Sequence, residues 1–126
     1  MKSPLAPSLI LAGILALCLL NGAWLTRRCN DWAEQLDDID ARCLAQDWNE
    51  AEAQLETLYV HWQSIQPWLH VILDHDEINA AEALFCRAMV LVEEEDSVEF
   101  RSHIADLRSQ LILLAELEQL RPENVL

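Results

Sequence analysis

No glycine occurs after position 22, and the chain holds only two in all, Gly13 and Gly22. That scarcity removes the residue that most readily enters left-handed turns and leaves no phosphate-cradling loop. Proline is nearly as rare: Pro4 and Pro7 lie at the start, Pro67 is central and Pro122 is near the end. Strands need turn punctuation that is missing here, so sheet architectures are excluded and long helices remain. Lysine is absent after Lys2, and beyond Arg28 all 22 acidic residues stand against five arginines. Such a surface repels phosphate backbones and anionic headgroups, which argues against a nucleic-acid partner. The charge reads first as a solvated face and second as an attraction for a cation or a basic protein.

The four cysteines, Cys18, Cys29, Cys43 and Cys86, form no CxxC pair. That spacing fits neither a disulfide framework nor a zinc site. Cys29 and Cys43 would lie about 21 Å apart along one helix, too far to bridge. Buried free thiols are expected in the part beyond Arg28.

What is present begins with a run from Leu5 to Leu25 that is apolar except for Ser8 and Asn21, with Lys2 before it and Arg27-Arg28 after it. About 20 helical residues cross a bilayer core, so residues 5–25 suffice for a membrane span. A cleaved signal peptide is the rival reading. Asn21-Gly22-Ala23 is a poor cleavage site because Asn21 takes the upstream small position, and Leu17 spoils a lipoprotein site at Cys18. An uncleaved anchor over residues 1–28, followed by an acidic helical domain over 29–126, is therefore expected. Arg27-Arg28 and Lys2 pull the topology in opposite directions; the expectation is an acidic domain facing outward.

Beyond the anchor the apolar residues recur at helical spacing. Cys29, Trp32, Leu36, Ile39 and Cys43 step alternately by three and four, and the register extends back to Leu25 and Gly22 without a breaker. The anchor is thus expected to run straight into the first soluble helix. A second helix opens at Asp47, with Glu50 completing a capping box, and carries Trp48, Ala51, Leu55, Leu58, Trp62 and Ile65. Pro67 is expected to end it or to start the next. The third helix, from about Pro67 to Val92, reads as the stripe Val71, His75, Ile78, Glu82, Phe85, Met89, Val92. The fourth starts near Asp96 or Ser97, with Asp96 and Glu99 as a capping box. It carries Phe100, Ile104, Leu107, Leu111 and Leu114, and should stop before Pro122. Four amphipathic helices with short connections predict an all-α protein: an N-terminal transmembrane helix followed by an antiparallel bundle of about four helices. Trp48, Ala51, Leu55, Leu58 and Trp62 loosely echo a tetratricopeptide hairpin, but one possible repeat is too few for a solenoid.

These residues resemble a known family. The stretch His75-Asp76-Glu77-Ile78, the upstream Asp47-Trp48 with Ala51, Leu55, Leu58 and Trp62, and the closing Pro122-Glu123-Asn124-Val125-Leu126 are similar to the bacterial domain of unknown function 4363 family. The resemblance covers nearly the whole length and implies a bacterial membrane-anchored acidic helical protein. It brings no activity, substrate, cofactor or catalytic residue. The chain departs from the pattern at Asn79, where an acidic residue is expected, which weakens a metal reading of that segment.

Candidate site residues are few. Asp74, His75, Asp76 and Glu77 look like metal ligands, but four consecutive helical residues point around most of the circumference and cannot converge on one ion. His75 has no strong partner three or four residues away, while His70 and Asp74 form an i, i+4 pair. His61 or His103 would have to complete a site from another helix. No metal site or cofactor is assigned; a cation-binding or sensing module built on His75, Asp76 and Glu82 is the alternative. The simpler reading of His75 and Glu82 is a polar contact with a neighbouring helix, with Arg101, Arg108 or a tryptophan N–H available, since a buried carboxylate needs a partner. Trp24 suits the membrane interface, Trp32, Trp48 and Trp62 the seams, and Trp68 beside Pro67 a contact with a partner. No nucleophile–base constellation can be defended. The expected function is a membrane-anchored, non-enzymatic helical protein, an interaction or accessory subunit that binds a protein partner or itself.

Overall fold

The computed structural model describes residues 5–125, with side chains described as far as Glu118. Lys2 and the final Leu126 lie outside the described residues. Among the described residues four helices follow one another: α1 (Leu5–Leu44), α2 (Trp48–Ile72), α3 (His75–Glu94) and α4 (Ser97–Val125). No strand occurs among the described residues. Each helix packs antiparallel against its chain neighbour, and α4 returns along α1, so the four close into a ring.

The apolar stripes make this ring. α1 buries Leu25, Cys29, Trp32, Leu36, Ile39 and Cys43, and α2 buries Trp48, Ala51, Leu55, Leu58, Trp62 and Leu69. From α4 come Phe100, Ile104, Leu107, Leu111 and Leu114. Alternation by three and four keeps each set on one helical face, so each helix offers a continuous seam. Edge-on aromatic pairs fill the middle: Trp32 with Trp62 and Trp48 with Phe100, both with ring centres 5.7 Å apart. Ion pairs brace α1 against α4 outside the core, Arg101 to Asp40 at 2.8 Å and Arg108 to Asp37 at 2.9 Å. Those arginines are therefore taken by α1 rather than by His75 or Glu82.

The expected continuity of α1 holds: one helix passes from the apolar run through Arg28 to Leu44, and the core begins at Leu25. Leu9, Ile10, Leu11, Ile14, Leu17, Leu19 and Leu20 are all exposed along its first part.

Three expected features are corrected. First, α2 does not stop at Pro67 but continues to Ile72. Proline removes its own N–H bond and crowds the carbonyl four residues before it, but burial of Trp62 before it and Leu69 after it holds the helix on the core. Asp74 instead caps α3, its carboxylate accepting from the Asp76 N–H at 3.2 Å. Secondly, the α3 seam follows Ile78, Ala81, Phe85, Ala88 and Val92. Steps of three then four and of four then three pass through the same Ile78, Phe85 and Val92. The structure takes the alanine route, leaving Glu82 and Met89 half-buried on its flank and Val71 and His75 exposed. Thirdly, α4 passes Pro122 and ends at Val125, since a proline in the last turn disrupts little of the ladder beyond it.

The connections are tight despite the missing glycines. Gln46 (φ 64°) and Glu95 (φ 54°) take the left-handed conformation that closes α1 and α3. The Glu95 N–H turns back to the carbonyls of Leu91 and Val92. A glycine adopts this conformation without a Cβ penalty. Glu95→Gly is therefore expected to raise folding stability by up to about 1 kcal/mol, read from the denaturant midpoint; an unchanged or lower midpoint would contradict it. Asp47 and Asp96 cap α2 and α4 by accepting from the Glu50 N–H at 3.4 Å and the Glu99 N–H at 3.2 Å.

Candidate functional site

The densest polar contacts lie between α2 and α3. Tyr59 and Trp62 sit three residues apart on one face of α2, opposite Phe85 and Glu82. The Tyr59 hydroxyl donates to Glu82 Oε1 at 2.5 Å and the Trp62 indole N–H donates to Oε2 at 2.7 Å. Each carboxylate oxygen thus has its own donor, and the rings beside it rest on Phe85, at 5.6 Å from Tyr59 and 5.4 Å from Trp62. The Cys86 thiol lies 3.8 Å from the hydroxyl. A half-buried carboxylate satisfied in this way clamps the register of two helices.

The clamp leaves a mark on the chain's one tyrosine. Donating to Glu82, together with burial, pushes the Tyr59 hydroxyl well above the usual tyrosine range. A folded-state value above the unfolded one means that this contribution to stability is complete below about pH 10 and is lost as pH rises further. Glu82→Ala removes both the acceptor and its charge, and with them the largest cause, so the single tyrosinate titration at 295 nm is expected to move down toward the ordinary value. An unmoved curve would show that Glu82 does not hold the hydroxyl.

A second contact joins α1 to α2. The Trp32 indole donates to His61 Nδ1 at 3.1 Å, with the rings edge-on at 5.7 Å. Burial, and to a lesser degree the charge of Arg28, pushes the His61 imidazole below its ordinary range. That direction suits a neutral ring whose free Nδ1 lone pair accepts. At the α2–α3 break, the Nδ1 atoms of His70 and His75 approach to 2.6 Å with the rings 4.6 Å apart. Such a bond needs one ring to donate and the other to accept.

The residues singled out in the sequence are therefore dispersed. His75 meets His70 at the surface, Glu82 faces Tyr59 and Trp62, Asp74 caps α3, and Asp76 lies exposed on its first turn. His103 approaches the Glu99 carbonyl on its own helix at 2.9 Å. Among the described residues, no three His, Cys, Asp or Glu side chains gather as metal ligands. Trp68 is 43 % exposed. Cys29 and Cys43 are buried as expected, with the Cys29 thiol pushed up to about 12 by burial, whereas Cys86 is exposed. Sequence reasoning offered a tryptophan N–H to Glu82 but missed Tyr59, whose place one turn before Trp62 was the available signal. The i, i+4 spacing of His70 and Asp74 brings the two together only on one continuous helix, and the break at Leu73–Asp74 removes that relation. The surface depressions are shallow; one lies between α1 and α2 and is lined by Gln35, Asp38, Glu50, Ala53, Gln54 and Thr57.

Fold and contacts together define a class: an acidic four-helix bundle whose first helix projects an exposed apolar end and whose polar clusters join helix to helix. The chain belongs to the family described as Domain of unknown function (DUF4363), which matches residues 22–125. No curated protein and no solved structure matches it.

Proposed function

We propose that this chain is a single-pass, membrane-anchored, non-enzymatic helical module that serves a protein partner at the membrane, with its acidic bundle on the extracytoplasmic side. The observation that carries the reading is α1. Its first part exposes a long apolar surface that water disfavours, and its second part is the spine of the bundle core. A non-enzymatic role is supported by the groups that would otherwise suggest chemistry: Glu82, His61 and His75 are each engaged in a contact between helices.

The reading is tested on the native protein in its own cells. The chain is expected to resist alkaline carbonate extraction and, after mild detergent release, to migrate with a second protein in a defined complex. Release by carbonate would remove the anchor, and a solitary monomer would remove the accessory role. Orientation has a built-in reporter: Cys86 is exposed, Cys29 and Cys43 are buried, and Cys18 lies within the apolar run. A membrane-impermeant maleimide should label intact cells at Cys86 and lose that label in Cys86→Ser. Labelling only after lysis would place the bundle in the cytoplasm.

A further inference from the structure

We infer that the tip of the α2–α3 hairpin is a second membrane contact, seated through Trp68 and Val71 in the interfacial layer of the bilayer that α1 crosses; this rests on the anchor reading above. Trp68 and Val71 lie three residues apart on one face of α2, and they are 43 % and 72 % exposed. Their height along the bundle follows from the aromatic contacts. Trp32 of α1 packs on Trp62 of α2, which sets those two residues at about the same level. The helices run antiparallel, so each step past Trp62 on α2 matches a step back from Trp32 on α1. At 1.5 Å per residue Trp68 lies about 9 Å beyond Trp62, level with Thr26, and Val71 about 13.5 Å beyond, level with Ala23.

That is where the apolar run of α1 ends. Trp24 stands there with the Arg28 guanidinium 5.7 Å from its ring, the arrangement expected where a span meets headgroups. An exposed indole and an exposed valine at the same height face the same layer. An indole gains most at this depth, since its ring leaves water while its N–H still meets polar groups.

The chemistry also selects the lipid and the depth. Asp74 and Asp76 are exposed beside the turn, which opposes anionic headgroups and deep insertion. The contact is therefore a shallow, apolar one with a zwitterionic phospholipid interface. Val60, 63 % exposed on the same helix, lies about 12 Å farther from the span than Trp68, and Val98, 77 % exposed, begins α4 at the opposite end. Both serve as controls.

The full chain, reconstituted in phosphatidylcholine nanodiscs, is to carry the photo-crosslinker p-benzoylphenylalanine singly at position 11, 60, 68, 71 or 98. All five sites are exposed, so the fold is retained. The expected result is lipid adducts at 11, 68 and 71 and none at 60 or 98. Adducts at 11 without adducts at 68 and 71 would overturn the tip contact and leave the anchor standing. Adducts from 68 to a second chain would assign the patch to self-association and overturn the lipid contact. No adduct at 11 would defeat the anchor and this inference with it.

Discussion

Trp62→Ala is expected to remove about 3–5 kcal/mol of folding stability, the scale of a large aromatic truncation in a core. Small domains have about 5–15 kcal/mol in total, so the variant should sit at the edge of unfolding. The magnitude follows from what the ring does. It is fully buried, lies 5.7 Å from Trp32 and 5.4 Å from Phe85, and its N–H satisfies one oxygen of Glu82. Alanine would leave a cavity at the meeting point of α1, α2 and α3 and strip the carboxylate of a donor. Trp62→Phe separates the two effects: most of the packing stays and the hydrogen bond goes, for an expected loss of about 1–3 kcal/mol. Denaturant unfolding of the full chain in detergent, followed by circular dichroism, measures both. A loss below that of Trp62→Phe in the alanine variant would mean that the ring is not part of the core.

Ile14→Arg is expected to act at the other end of the molecule, on partitioning rather than folding. Ile14 is 53 % exposed in the middle of the apolar run, and a Cβ built on neighbouring Gly13 meets nothing within 4 Å. Arginine at the centre of a span costs about 2.5–3.5 kcal/mol on insertion, while isoleucine favours it by a few tenths. The difference of about 3 kcal/mol corresponds to on the order of a hundredfold in membrane partition. The carbonate-resistant fraction should fall accordingly, with the bundle's unfolding midpoint unchanged because Ile14 is outside the core. Val98→Arg, at the far end, should leave the fraction as it was. Full retention of Ile14→Arg in the membrane would show that residues 5–25 do not cross it.

The helices were legible because their seams repeat with little ambiguity. In α1, Cys29, Trp32, Leu36, Ile39 and Cys43 admit one path, and in α4 Phe100 to Leu114 do so as well. α3 offered two paths through Ile78, Phe85 and Val92. Alanine is weakly hydrophobic, so a reading by residue type favoured Met89 over Ala88, whereas close approach of α3 to its neighbours favours the small side chains. Pro67 misled for a related reason. Proline's local effect is strong, but two buried residues flanking it outweigh one missing hydrogen bond. The polar contacts were legible only as a need. A carboxylate close to the seam requires donors, yet which donor arrives depends on how α2 is rotated and where it ends, and single-sequence spacing does not carry that information. The His70–His75 contact was out of reach on the same ground, because it exists only once the chain bends between them.

One mechanical property follows from α1 being unbroken over 40 residues. A helix of that length is a shaft of about 60 Å, and between Leu20 and Leu44 its only glycine or proline is Gly22, which stays helical and packs beside the Glu118 side chain of α4. Torque applied around Leu5–Leu20 is therefore delivered to the whole assembly. The azimuth at which Asp37 and Asp40 present their charge is geared to whatever grips the greasy end, with no universal joint between them.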